Sequence, residues 1–152
     1  MKTTIKVAAV ISNDKGETLL IKERYDKNQA AKWNIIKGTY DNPDETIVDC
    51  IKREITEEVG LTVTDLTLSK IYHYGDSKNP KVLFIFKVID FNNIPIKLIK
   101  SKRRPDEDII SAKWVGKKEV NNIPKEDFVA NYVWKAIEPF SSSELIEIIK
   151  IE

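Results

Sequence analysis

The chain has 152 residues, 41% of them hydrophobic and 32% charged, with a formal net charge of +1. That length is enough for one domain with a proper core, and the even charge balance leaves no overall field to draw in nucleic acid or an acidic membrane. The one cysteine, Cys50, excludes an internal disulfide and a cysteine-rich zinc site, and the one histidine, His73, leaves any nucleophile–histidine system a single candidate base.

No apolar run approaches the roughly 20 residues of a membrane span. The opening stretch MKTTIKVAAVIS reads as a strand and not as a secretory leader. A soluble cytoplasmic protein is expected, with no membrane partner, as a single domain over residues 1–152.

Residues 4–12, TIKVAAVIS, are β-branched and apolar, which predicts a buried strand. NDKG (13–16) has turn chemistry and ETLLIKER (17–24) follows, so a hairpin is predicted. KWNIIKG (32–38) predicts a short strand running into a glycine, and TYDNPD (39–44) a loop. From Glu45 to Val59 the apolar spacing becomes helical, with Asp44 as the expected N-cap and Gly60 as the C-terminal glycine. Strands are predicted over 61–75, with a break, over 81–91 and over 109–116, with a charged loop at 100–108. A helix over 126–138 would turn Phe128, Tyr132 and Trp134 to the core, and a short C-terminal helix is expected over 142–151. Strands and helices mix without regular alternation. That predicts an α/β (α+β) sandwich, a mixed β-sheet between helices, and not a doubly wound fold.

Within REITEEVG (53–60), three glutamates fall in five positions. On a helical wheel with Glu54 at zero, Ile47, Ile51, Ile55, Val48 and Val59 fall between about 20° and 140°. Glu58 falls near 40°, inside that apolar arc, and Glu54 lies at its edge. Glu57 sits near 300°, while Lys52, Glu45, Thr56 and Asp49 take the wet side near 160–220°. A solvated glutamate belongs opposite the isoleucines, and Glu58 does not lie there. A buried carboxylate must be paired, protonated or bound to a cation. Acids in the second half of a helix also oppose its dipole. These carboxylates therefore suggest a Mg²⁺ or Mn²⁺ site, since hard cations take oxygen ligands. The alternative is a surface acidic cluster with Arg53 as partner.

Gly38, Glu45 and REITEEVGL (53–61) together resemble the Nudix box, G-x5-E-x7-R-E-U-x-E-E-x-G-U, in which U is a bulky aliphatic residue. Seven residues separate Glu45 from Arg53, and Arg53, Glu54, Ile55, Glu57, Glu58, Gly60 and Leu61 all match. The LLIKER strand, the W-x-x-x-K-G approach and an acid before KWV, Glu107, are similar to the family too. The resemblance covers roughly residues 4–138. Six residues, not five, separate Gly38 from Glu45, Ile36 stands where proline is usual, and Asp44 where glycine is usual. These departures touch the loop and leave the helix intact.

The resemblance implies a Nudix-type fold and hydrolysis of a nucleoside diphosphate linked to another group, with Mg²⁺ or Mn²⁺. It implies metal binding by Glu54, Glu57 and Glu58. Glu54 or Glu57 would act as the base, or Glu107 from a downstream loop, where it would also be a metal ligand. Arg53 would orient Glu57 and brace Glu45, and a carbonyl of Lys37 or Gly38 would complete the metal shell. For substrate phosphate the candidates are Lys22 and Arg24, which strand alternation puts on one face, and Lys37, which precedes Gly38 as in some polyphosphate hydrolases. Lys22 reads equally well as a snorkelling surface residue. Trp33 and Tyr40 are candidates for base stacking, with Trp33 also read as core, and His73 is read as structural. The run KSKRR (100–104) suits either a solvated loop or a phosphate-rich substrate such as capped RNA. A homodimer is in keeping with related proteins. The competing reading is a non-catalytic Nudix-like module that binds a nucleotide as a regulator.

Overall fold

A computed structural model of the chain describes residues 2–99, 108–137 and 147–150. Eight strands are described: β1 (Thr4–Val10), β2 (Thr18–Arg24), β3 (Lys32–Asn34), β4 (Ile36–Thr39), β5 (Val63–Gly75), β6 (Pro80–Phe91), β7 (Asp108–Val115) and β8 (Glu147–Lys150). The helices are α1 (Ile47–Val59), α2 (Lys117–Asn122) and α3 (Asn131–Ile137), with a 3-10 turn at Lys125–Asp127.

The strands form two sheets, one of five in the order β4-β1-β6-β5-β8 and one of three in the order β3-β2-β7. The larger sheet is mixed: β1 runs antiparallel to β4 and parallel to β6. Its interior strand β1 is buried on both faces at Val7, Ala8 and Ala9, which is why it reads as an apolar run. Val7 and Ala9 join Cys50, Ile51 and Ile55 of α1 in one core, while Ala8 joins Tyr72, Leu20 and Val133 in the other. This is the α+β sandwich with flanking helices that the sequence predicts. No helix among the described residues is long and apolar enough to cross a membrane.

Several local expectations change. The predicted hairpin has its turn but not its ladder. Asn13 Oδ1 accepts from the backbone of Lys15 and Glu17, both at 3.0 Å, yet beyond the single Ser12–Thr18 bridge β1 and β2 diverge into different sheets. The 32–38 strand breaks at Ile35, so that β3 joins one sheet and β4 the other. The α1 N-cap is Thr46 and not Asp44: Thr46 Oγ1 accepts from Asp49 N at 3.0 Å and Asp49 Oδ2 from Thr46 N at 3.2 Å, a reciprocal capping box. Glu45 therefore precedes the helix. Gly60 ends it in the left-handed conformation, φ 74°, as expected.

The predicted helix at 126–138 is split because Val129 N donates to Trp33 O at 2.9 Å, and the Phe128–Trp33 bridge pulls the backbone into strand geometry. Helix α2 follows directly on the strand predicted over 109–116, in a stretch where no element was predicted. Residues 147–150 are strand and not helix: they pair in parallel with Lys70–His73, using the open edge of β5. Residues 142–146 of that predicted helix lie outside the described residues.

Candidate active site

Helix α1 lies against β4 and β1. Its buried stripe runs through Cys50, Ile51, Ile55, Glu58 and Val59. The stripe is centred nearer the glutamates than the isoleucine spacing alone predicts, which leaves Val48 at the margin, 36% exposed. Glu58 is wholly buried at 0% exposure, Glu54 nearly so with a side chain 14% exposed, and Glu57 reaches solvent at 51%. Two carboxylates one turn apart thus face inward, and of the three only Glu57 is largely exposed.

Gly38 on β4 sits over this face. A Cβ there would lie 2.6 Å from Glu54 Oε1, so only glycine allows the carboxyl to pack under the strand. Arg53 gathers the acids. Its Nε and Nη2 donate to the two oxygens of Glu45 at 3.0 and 2.7 Å, a fork that a planar guanidinium makes well. Its Nη1 donates to Glu54 Oε1 and Glu57 Oε2, each at 3.2 Å. This fork holds the Glu45 carboxyl below its usual range and raises the guanidinium further above its own. Cys50 lies beneath, its Sγ 3.7 Å from Thr39 O, and burial pushes its thiol up to about 12.

Among the described residues no three acidic, histidine or cysteine side chains converge as a ready-made metal ligand set. Arg53 holds one oxygen each of Glu54 and Glu57. The donors nevertheless suit a hard divalent ion in kind: all are carboxylate oxygens, and Gly38 presents no side chain over Glu54.

The structure separates the predicted substrate residues. Alternation along β4 puts Lys37 on the face opposite Gly38. Its Nζ donates to Tyr25 Oη at 3.2 Å and Tyr132 Oη at 3.1 Å. Lys22 lies 5.0 Å over the Trp33 ring, and half-buried Arg24 stands opposite Asp108 in the β2–β7 register. Trp33 packs into the core, and Tyr40 Oη donates to Glu45 O at 2.8 Å, holding the loop that carries Glu45. Exposed His73 lies on β5. Glu107 and KSKRR lie outside the described residues.

The sequence reading missed a second polar cluster. Buried Glu23 accepts at its Oε1 from Asn34 Nδ2 and from Tyr25 Oη, both at 2.6 Å, and Tyr132 Oη lies 3.4 Å from Asn34 Oδ1. The signal was present: alternation along β2 puts Glu23 on the side of buried Leu19 and Ile21. A cavity of about 420 Å³ lies elsewhere, at the β1–β2 turn beneath α2 and α3, and none of the glutamates above lines it.

A two-sheet α+β sandwich whose long helix lodges carboxylates beneath a glycine of an edge strand has the architecture of the Nudix class. The NUDIX domain model matches residues 2–134, and the chain belongs to that family. The human 8-oxo-dGDP phosphatase NUDT18 is 31% identical over 108 residues, 71% of this chain and 31% of that protein, so the chain spans about a third of that relative's length. A MutT NUDIX hydrolase from Burkholderia pseudomallei has the same fold, with TM-score 0.68 at 21% identity over 91% of this chain and 98% of that one. A NUDIX hydrolase from Nitrosomonas europaea gives TM-score 0.65 at 27% identity, over 90% and 87% of the two chains.

Proposed function

We propose that this chain is a single-domain, metal-dependent pyrophosphohydrolase acting on a nucleoside diphosphate linked to another group. The observation that carries the reading is the inward placement of Glu54 and Glu58 on α1, with Gly38 leaving room over Glu54. Like charges one turn apart on a helix are unfavourable, and burying them costs more. A ligand that uses them explains the arrangement.

Glu54, Glu57 and Glu58 would hold Mg²⁺ or Mn²⁺, with a carbonyl of Lys37 or Gly38 and with Glu107 as further ligands. Such an ion neutralises charge on a diphosphate and lowers the pKa of bound water. Glu54 or Glu57 takes the proton of the attacking water as the phosphoanhydride bond breaks. Arg53 orients both carboxylates and, through Glu45, ties the helix to the loop before it. Lys37, Arg24 and Lys22 are the cations for the rest of the substrate. The reading places the protein in the cytoplasm, where such nucleotides are met, and a homodimer is the assembly to test by light scattering.

The test is a chromatographic assay with Mg²⁺ against dNTPs, ADP-ribose, NADH, diadenosine tetraphosphate, capped RNA and 8-oxo-dGDP, the last chosen for the name of the human relative. Turnover of at least one member is expected, with a large loss in Glu57→Gln and on chelation. Full activity in Glu57→Gln would refute the assigned chemistry. No turnover, with nucleotide binding that survives metal removal, would instead establish the non-catalytic module, which the altered loop at 39–44 favours.

A further inference from the structure

We propose that Tyr132 and Tyr25 are positioning residues that fix Lys37 as a substrate-contacting cation, an inference that rests on the hydrolase reading. Five side chains from β2, the residue just beyond it, β3, β4 and α3 close a ring of hydrogen bonds. Lys37 Nζ donates to the hydroxyls of Tyr25 and Tyr132. Tyr25 Oη donates to Glu23 Oε1, Tyr132 Oη donates to Asn34 Oδ1, and Asn34 Nδ2 donates to Glu23 Oε1. Both rings also lie under the ammonium, at 5.8 and 5.7 Å.

Burying this much polarity is a poor way to gain stability, because apolar packing of equal volume does as well or better. What a satisfied polar ring provides is a fixed geometry. The tyrosines meet the ammonium with neutral oxygens, which hold it in place. Place then decides the role. Lys37 adjoins Gly38 on an edge strand, and Gly38 abuts Glu54 from the opposite face. Adjacent Cα atoms are about 3.8 Å apart, well within the length of one nucleotide. A substrate lying across the β4 edge meets the glutamates with its phosphoanhydride and Lys37 with an acceptor oxygen remote from the bond being cut. That oxygen is a terminal phosphate or a base carbonyl.

The test uses Tyr132→Phe, which keeps the ring and its tilt against Tyr72, and Tyr25→Phe as a second variant. With the best panel nucleotide, each should raise KM about tenfold and change kcat less than about twofold, as Lys37→Met should. On the Lys37→Met background, Tyr132→Phe should add nothing. Calorimetry with GDP, CDP and GMP in EDTA repeats the comparison without turnover. A loss seen with GDP and CDP but not GMP assigns the terminal phosphate, and a loss confined to the guanine nucleotides assigns the base. An unchanged KM and binding constant in both tyrosine variants, or full additivity with Lys37→Met, overturns the proposal while the hydrolase reading stands. Binding that weakens in the tyrosine variants of a protein with no turnover overturns the hydrolase reading alone. Absence of both turnover and binding overturns both.

Discussion

Gly38 and Glu54 share one space: a Cβ on the glycine would lie 2.6 Å from Glu54 Oε1 and closer still to its Cγ and Cδ. The Glu54 side chain can swing aside and the strand cannot. Gly38→Ala should therefore fold with a modest loss in Tm, yet lose about a hundredfold in kcat/KM, since small misplacements of reacting groups are that costly. Wild-type turnover in this variant would show that Glu54 is not needed where it lies.

Arg53 meets Glu45 with two parallel hydrogen bonds and the other acids with a third nitrogen. An ammonium is a point charge and cannot keep all of these at once. Arg53→Lys should lower kcat about tenfold or more, with little change in the melting curve because the guanidinium is 36% exposed. Steady-state kinetics beside calorimetric melting separates the two effects.

If Glu54 and Glu58 take a divalent ion, the ion stabilises the fold that binds it. Saturating Mg²⁺ should raise the wild-type Tm by about 5 °C, and EDTA should reverse the shift. In Glu54→Gln and Glu58→Gln the shift should vanish. A full Mg²⁺ shift in both variants would remove these carboxylates from the metal site.

Thr46→Ala removes half of the α1 capping box. It should cost about 1 kcal/mol, seen as a fall of about 2–4 °C in Tm, with turnover at 25 °C retained. If the variant melts with the wild type, the box contributes nothing to stability.

Burial raises the Cys50 thiol from 9.0 to about 12. The folded state keeps the proton over a range in which the unfolded chain gives it up. This contribution to stability is therefore complete below pH 9.0 and declines as pH rises toward about 12. A thiol reagent at pH 8 should leave the native protein unlabelled and react with one thiol per chain in urea. Prompt labelling of the native protein would contradict the burial of Cys50.

The glutamate helix was legible because a 3.6-residue period is a local property: it put Glu58 among isoleucines without knowledge of what the helix packs on. Its end at Gly60 was legible for a similar reason, since φ 74° suits glycine. The N-cap was misjudged because Asp44 and Thr46 are both good capping residues. Asp44 is taken up in a turn with Asn42 Oδ1 accepting from its N–H, and only Thr46 has Asp49 three residues on to complete the box.

By itself the sequence determined the mixed α+β class, the inner face and the C-terminal end of the acidic helix, and the family. Each depends on periodicity or on a motif contained within a few turns of chain. Tertiary structure alone decided that β1 and β2 part into two sheets, that Trp33 breaks the helix predicted at 126–138, and that residues 147–150 pair with β5. It alone brought Glu23, Asn34, Lys37 and Tyr132 together, Tyr132 and Asn34 meeting across 98 residues of separation. Hydrogen bonds and packing between distant segments set these features, and no local pattern carries the identity of a partner that far along the chain.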